Sequence, residues 1–339
     1  MIQMAIMGFG TIGSGVYDVV NTNRDVIRKN LGGEELDVKY VLDLREFPGK
    51  PVEKVLVHDV NTIMEDPEVK IVVETMGGVE PAFTFVSRAL KAGKSVATSN
   101  KELVAKKGVE LMELAKENHA SFLFGASVGG GIPIIRPLVR CLTADRIEEV
   151  AGILNGTTNY ILTKMDQEGT SFEAALKEAQ DNGFAEKNPE ADVEGYDAGR
   201  KIAILSSIVL GKSVNFEDIY TEGISAITAT DFKYARALGW SIKLVASGKI
   251  VDGKVYAMVA PHLVKPEHPL YAVNDVFNAV MVHGNMVDDV MFYGRGAGSH
   301  ATASAVMADV VEEAANLGKT LPVSWSAEHQ EVAPVASSE

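Results

Sequence analysis

The chain of 339 residues contains one cysteine, Cys141, so no disulfide framework holds it together, and a reducing cytoplasmic setting is expected. It also lacks any run of the about 20 apolar residues that a membrane-spanning helix needs. Even the hydrophobic stretch starting at Ile71 is broken by Glu74 and Gly77. There is no basic excess either: 32 Lys and Arg face 46 Asp and Glu, and the net charge of −14 argues against a surface that neutralises nucleic-acid phosphates. The start, Met1 to Met7, has no basic segment and runs into a glycine motif, so it reads as a first strand and not as a signal peptide. What remains is ordinary globular composition, 46% hydrophobic and 23% charged, in a length that fits two domains.

Up to about Gly131, short Val- and Ile-rich runs alternate with longer helical patterns. Met4–Met7, Val38–Leu42, Ile71–Val73 and Val96–Thr98 read as strands, and the rhythm predicts parallel βαβ units. Ser99 with Glu102 reads as a capping box, and Gly93 as the end of the preceding helix. Pro133 and Pro137 mark a boundary. Beyond it, helical stretches fall at Asn159–Gln167, Phe172–Asn182, Asp197–Leu210 and Asp231–Leu238, and Ser247–Val251 pairs with Val255–Val259 around Asp252-Gly253. The expected fold class is α/β: a Rossmann-type parallel-sheet domain over residues 1–135, then an α+β domain over 136–299 with a mostly antiparallel sheet and helices on one face. An Ala-rich helix near 300–320 follows the loop Gly294 to Gly298, and residues 321–339 are expected to be a loosely held tail.

Gly8-Phe9-Gly10-Thr11-Ile12-Gly13 follows the first strand and opens a helical pattern. The first glycine permits the tight turn, the second lets a pyrophosphate approach the backbone, and the third lets helix and strand pack closely. The bare motif is weak, but this strand-to-helix context is the one that supports dinucleotide binding. The second strand ends at Leu42-Asp43-Leu44-Arg45. An acid there suits the ribose hydroxyls of NAD and an arginine suits the extra phosphate of NADP; Arg45, with Lys50 after it, tilts the reading toward NADP. The plainer reading of these charges is a solvated loop.

The densest constellation is Glu186, Asp192, Asp197 and Lys201. Taken alone, Asp197 and Lys201 make a surface pair four residues apart, worth about 0.3–0.5 kcal/mol. However, Ile202 to Leu210 is apolar nearly all round, which marks a buried helix whose first-turn lysine is partly desolvated. Lys101 is a second such lysine, just past a parallel strand, where a cation at a helix start calls for an anion. Between them, Asn155-Gly156-Thr157-Thr158-Asn159 is either a turn and cap or a set of ligand-orienting groups; spacing alone does not choose. A small substrate with cationic and anionic ends would use this inventory for hydride exchange between an alcohol and an aldehyde.

In these residues the chain resembles the homoserine dehydrogenase family over most of its length. The glycine fingerprint, Ser99-Asn100-Lys101, Ser127 to Pro133, Asn155 to Asn159, Ala179 to Lys201 and Gly294 to Gly298 occur in the family's order, and the Ala179–Lys201 block is the specific one. The resemblance implies NAD(P)-dependent interconversion of L-homoserine and L-aspartate 4-semialdehyde, in threonine, methionine and isoleucine biosynthesis. It also implies a dimerisation region, hence a homodimer, and a final helix that returns to the nucleotide domain. Lys201 is implied as proton donor and acceptor, with Lys101 beside it. Glu186 and Asp197, with Asp192 and Thr157, are implied as substrate-binding groups, Glu186 and Asp197 taking the ammonium. Gly183 and Gly298 match cofactor-contacting positions. Many members bind sodium or potassium through a glutamate and backbone carbonyls at positions matching Val128, Gly130 and Ile132. Here Gly125 stands where that acid would be, so dependence on a monovalent ion is expected to be weak or absent. Many relatives also carry a C-terminal amino-acid-binding module. The stretch Lys319 to Glu339 is too short for one, so inhibition through such a module is not expected.

Three other readings fit less well. Tyr160 and Lys164 have the Tyr-x-x-x-Lys spacing of short-chain dehydrogenases, but the glycine loop lacks that class's Gly-x-x-x-Gly-x-Gly. An aspartate-semialdehyde dehydrogenase needs a nucleophilic cysteine, whereas Cys141 has no neighbouring base and is expected in a core. A nicotinamide sensor without turnover would need no proton shuttle, and both lysines are present.

Overall fold

A computed structural model describes residues 1–323 and 325–334. The chain divides into two compact units, 1–133 with 298–323, and 134–297 with 325–334. The first unit opens with β1 (Ile2–Met7), α1 (Thr11–Thr22), α2 (Arg24–Asn30), β2 (Leu36–Leu42), β3 (Leu56–Val57) and α3 (Val60–Met64). It continues through β4 (Val69–Glu74), α4 (Ala82–Lys91), β5 (Ser95–Thr98), α5 (Lys101–Glu117) and β6 (Phe122–Leu123). Its strands form one parallel sheet in the order β3-β2-β1-β4-β5-β6. The middles of the central strands are apolar because helices cover both of their faces: Met4 to Met7 and Ile71 to Val73 are fully buried. The order reverses between β1 and β4, so the loops after those strands flank the crevice where ligands of such sheets bind. Gly93 ends α4 as expected, its amide and that of Lys94 returning to the carbonyls of Leu90 and Ala89. The Ser99–Glu102 capping box does not form. Asn100 caps α5 instead, its Oδ1 accepting from the Leu103 amide at 3.1 Å, while Glu102 pairs with Lys106.

The second unit contains α6 (Ile135–Arg140), β7 (Ile147–Ile153), α7 (Gly156–Glu168), α8 (Phe172–Asp181), α9 (Glu190–Val193) and α10 (Tyr196–Leu210). Next come β8 (Lys212–Ser213), β9 (Tyr220–Thr221), α11 (Ala229–Leu238), β10 (Ser241–Val251), β11 (Lys254–Val264), β12 (Phe277–Gly284) and β13 (Asp288–Arg295). The sheet runs β13-β12-β7-β10-β11-β9, antiparallel except for the β9–β11 pair. Asp252 and Gly253 both have positive φ, the mirror-image turn that fits the twist of the β10–β11 hairpin. α10 lies against β10 so closely that a Cβ on Gly248 would sit 2.2 Å from Ser206 Oγ. That contact seats the buried helix on the sheet. On the other face, Leu270 and Val273 of the β11–β12 connection pack on Ala151, Ile153 and Val245. Buried Lys243 anchors that connection by donating to Val273 O and Asn274 Oδ1, and burial lowers its pKa to about 8.

Two expectations need correction. Cys141 is exposed, because α6 ends at Arg140 and the chain turns outward there. The stretch after Leu321 is not simply loose: Trp325 is buried, β14 (Ser326–His329) pairs with β8, and Val332 bridges to Val255. Two short strands with little periodicity give no sequence signal, yet backbone pairing holds them. The last residues, 335–339, lie outside the described part.

The Ala-rich segment forms α12 (Ser299–Ala315), whose Ala303, Val306, Met307 and Val310 complete the core of the first unit. It approaches α1 through Gly15, where a Cβ would lie 2.7 Å from Ser299 Oγ. The helix also carries two acids inward. Asp309 accepts from the Gly125 amide at 2.7 Å, and Glu313 is fully buried, with no side-chain partner for its carboxylate among the described residues. Burial raises the Glu313 pKa well above the glutamate range, and Asp309 and Glu312 push the same way. An acid whose pKa is higher folded than unfolded supports the fold fully below its unfolded pKa, and that contribution is lost as pH rises toward the folded value. Glu313→Met should therefore stabilise the protein by about 1–3 kcal/mol at pH 8, with the gain shrinking toward pH 5. Denaturant melts across that range check it; a pH-independent difference would show that Glu313 is not held neutral.

Candidate active site

β1 ends in the glycine loop, and each glycine has a separate physical reason. Gly8 has φ +97, a conformation that side chains with a Cβ rarely adopt. A Cβ on Gly13 would fall 1.9 Å from Gly8 O, so close packing of helix on strand admits none. Gly10, the residue before α1, has open space around its Cβ position, the cradle a pyrophosphate would fill at the helix N-terminus. Phe9 holds the loop to the second strand, its amide donating to Asp43 Oδ2 at 2.8 Å. Thr11 and Ile12 begin α1, with Thr11 O accepting from Ser299 Oγ at 2.6 Å.

Asp43 is not a bare acid facing solvent. Arg45 donates to both of its oxygens at 2.8–2.9 Å and to Phe9 O at 3.0 Å. The guanidinium beside it, backed by two backbone amides, holds the Asp43 carboxyl well below the usual carboxylate range. Arg45 and Lys50 both lie over the Phe47 ring, at 5.3 and 5.8 Å, so two cations gather at the end of β2. Across the crevice, Glu74 closes β4 in full burial. It accepts from Thr98 Oγ1 at 2.6 Å and from the amides of Met76 and Gly77 at 2.7 and 3.2 Å, while burial raises its pKa. Thr98 Oγ1 in turn accepts from the Asn100 amide, one residue before Lys101 begins α5. One buried carboxylate thus sets both loops at the carboxyl end of the sheet.

In the second unit, the turn from β7 into α7 meets the start of α10. Lys201 is 8% exposed and Asp197 4%, so their pairing is a buried one and not the surface contact that spacing alone suggests. Lys201 Nζ lies 2.7 Å from Asp197 Oδ2 and donates to Leu154 O at 2.6 Å. Asn155 Nδ2 donates to Asp192 Oδ1 at 2.7 Å and to Asp197 Oδ2 at 2.9 Å. An ammonium has three N–H groups, and two are spent on these partners. Among the described residues the third has no further partner.

Other candidates fall elsewhere. Glu186 is exposed on the loop after α8, where its backbone carbonyl accepts from Gln180, outside the Lys201 cluster. Thr157 turns its hydroxyl to Phe184 O at 2.6 Å, tying the head of α7 to that loop. Gly183 lies in the turn after α8, and Gly298 precedes α12 in the first unit. In the loop from Gly125 to Ile132, the space beside Gly125 faces Asp309: a Cβ there would lie 2.8 Å from its Oδ1. The carbonyls of Val128, Gly130 and Ile132 therefore lack a carboxylate from their own loop, and the acid nearest Gly125 already accepts its amide. Among the described residues, the one convergence of possible metal-ligating side chains is His283, Asp288 and Asp289, around the β12–β13 turn. Tyr160 and Lys164 both engage Glu178, so they do not form a free tyrosine–lysine pair. Sequence reasoning missed Glu74, Asp309 and Glu313. For Glu74, an acid closing an otherwise apolar run is the available signal; Asp309 and Glu313 share their helix with Glu312, and the sequence does not distinguish the inward acids from the outward one.

A parallel sheet whose first strand runs through the glycine loop into a helix defines a dinucleotide-binding unit of the Rossmann type. Comparison narrows the class. Residues 133–311 match the family model for homoserine dehydrogenase, and residues 8–125 the model for the homoserine dehydrogenase NAD-binding domain. The homoserine dehydrogenase of Bacillus subtilis is 43% identical over 319 residues, 93% of this chain and 73% of its own. The crystal structure of the Thiobacillus denitrificans homoserine dehydrogenase superimposes with a TM-score of 0.88 at 41% identity, covering 93% of this chain and 73% of that one. A hyperthermophilic archaeal homoserine dehydrogenase in complex with NADPH gives 0.77 at 29%, over 92% and 97%. The chain belongs to the homoserine dehydrogenase family, and homoserine dehydrogenase is its activity. Among the described residues no helix is long and apolar enough to cross a membrane.

The glycine geometry yields a discriminating pair of variants. Gly10→Ala should keep its melting temperature yet bind dinucleotide at least about tenfold more weakly, a loss of about 1.4 kcal/mol. Gly13→Ala should lose about 1–3 kcal/mol of stability through overpacking. Thermal melts beside dinucleotide titrations check both, and unchanged binding in Gly10→Ala would remove the pyrophosphate from that cradle.

Proposed function

We propose that this chain interconverts L-homoserine and L-aspartate 4-semialdehyde with NADP as preferred cofactor, Lys201 exchanging the proton at the substrate's C4 oxygen. The observation that carries the reading is the buried Lys201, held by Asp197 and Leu154 O with one N–H to spare. When bound, the nicotinamide would supply the hydride acceptor for homoserine oxidation and the hydride donor in reverse. In homoserine oxidation Lys201 acts from its neutral amine form, taking the hydroxyl proton and becoming the ammonium; in the reverse direction the ammonium gives that proton to the aldehyde oxygen, so no alkoxide builds up unpartnered. Asp197 and Asp192 carry the negative charge that suits the substrate ammonium, with Thr157 at the head of the neighbouring helix. Glu186, exposed on its loop, is kept as a further substrate-binding group by family resemblance only. Lys101 is proposed as the second lysine of the reaction and as a cofactor contact. Gly183 and Gly298 are likewise carried over as cofactor positions.

Three features support NADP. Arg45 neutralises Asp43, Lys50 joins it around Phe47, and Arg45 keeps most of its side chain exposed to a ligand. The NADPH in the archaeal relative's structure agrees. Val128, Gly130 and Ile132 are given no ion, since Gly125 brings no carboxylate. We also infer a homodimer, formed through the second unit, where Met291 and Tyr293 of β13 stand exposed.

Purified protein mixed with L-homoserine and each dinucleotide, followed by nicotinamide absorbance, tests the reading as a whole. Lys201→Ala should fold, bind NADP and lose about 10²–10⁴ in kcat; a value within a few-fold of the parent would reassign the proton. Arg45→Ala should lose about tenfold or more in kcat/KM with NADP, the range of a charged hydrogen bond, while NAD turnover holds or improves as Asp43 is freed. Equal losses with both cofactors would make Arg45 a structural residue.

A further inference from the structure

We propose that Asn155 is a positioning residue of the reaction, an amide that bridges Asp192 to Asp197 and thereby sets the carboxylate against which Lys201 works. The inference rests on the role proposed for Lys201.

The orientation of the amide is not arbitrary. Asn155 Oδ1 accepts from the Thr158 backbone N–H at 2.9 Å, and a backbone N–H can only donate. The oxygen must face α7, so Nδ2 must face the aspartates. Thr158 Oγ1 lies 3.1 Å from the same Oδ1. The two Nδ2 hydrogens reach Asp192 Oδ1 at 2.7 Å and Asp197 Oδ2 at 2.9 Å, and Asp197 Oδ2 is the atom 2.7 Å from Lys201 Nζ. Asn155 is 5% exposed, so water offers little replacement for these contacts. The residue before it contributes as well, since Leu154 O accepts from Lys201 Nζ at 2.6 Å. Two consecutive residues therefore hold both ends of the ion pair, one by its carbonyl and the other by its side chain.

The chemistry calls for this bridge. Asp197 is buried and Asp192 half-buried, and two ionised carboxylates reaching one amide repel each other. An amide giving one N–H to each holds them side by side without adding charge. Without it, Asp197 would turn from Lys201, and the lysine would lose its fixed direction. Misplacement on the ångström scale costs about 10²-fold in rate. The bland alternative is that Asn155 serves only as the N-cap of α7, a role that Asp and Ser fill equally well.

That equivalence supplies the test. Asn155→Asp and Asn155→Ser both keep a capping oxygen but remove the bridging N–H, and the first puts a third carboxylate in its place. The melting temperature should stay near the parent value in Asn155→Ser and fall in Asn155→Asp, whose third carboxylate is buried without a cation of its own. Homoserine-dependent kcat should fall about 10–100-fold, more in Asn155→Asp, with KM for NADP unchanged. The acid limb of the kcat profile should move up by about one pH unit in Asn155→Asp. Adding Asn155→Ser to Lys201→Ala should cost little further, because the bridge acts through the lysine. Asn155→Asp with parental kcat and pH profile, beside an inactive Lys201→Ala, would overturn this inference and leave the role of Lys201 standing. Losses in both Asn155 variants that merely track melting temperature would also overturn it. A Lys201→Ala variant that stayed active would overturn both.

Discussion

A buried ammonium can persist only where anions and carbonyls replace its water, and the second unit is organised around that constraint at Lys201. Removing one partner of such a pair typically costs about 3–5 kcal/mol, so the pair dictates its surroundings. α10 must lie flat on β10 to bury the lysine stem, which is why Gly248 has no Cβ. The turn out of β7 must bring Leu154 O to the ammonium and the Asn155 amide to the carboxylates. The same turn starts α7, which Asn155 caps with its other end.

The first unit is organised by close approach. Gly13 lets α1 sit against β1, Gly15 lets α12 sit against α1, and Gly10 leaves an open cradle where α1 begins. Polar groups then fix the loops around that cradle: Asp43 takes the Phe9 amide, and Glu74 takes the amides after β4 and, through Thr98, those before α5. The ion pair of Arg45 with Asp43 cancels the acid's charge at the end of β2 and leaves the guanidinium largely exposed there.

Local patterns were the legible part of the sequence. The strand before Gly8, the hairpin at Asp252-Gly253, the helix through Leu210 and the Asp197–Lys201 spacing all depend on neighbours within a few residues, and each appears as expected. Contacts between distant segments were not legible. Asn155 precedes its two aspartate partners by 37 and 42 residues, and Gly125 meets Asp309 across 184. The Ser99–Glu102 pattern matched a capping box, yet Asn100 is the better placed oxygen, because Ser99 still belongs to the turn out of β5. Spacing grouped Glu186 with Asp197, but a loop of Gly, Asn and Pro does not encode its direction, and the structure leaves Glu186 exposed. Trp325 and the strand after it carry no periodicity, and only pairing with β8 reveals them.

Chemical rescue tests the central claim, that the Lys201 ammonium carries the proton, most directly. In Lys201→Ala the lost side chain leaves a cavity beside Asp197 and Leu154 O, and small primary amines of graded size and basicity can be titrated into the homoserine assay. The account predicts saturable recovery of turnover by amines that fit, with rates that depend on amine basicity. A variant that still binds homoserine and NADP but gains no turnover from any such amine would contradict it.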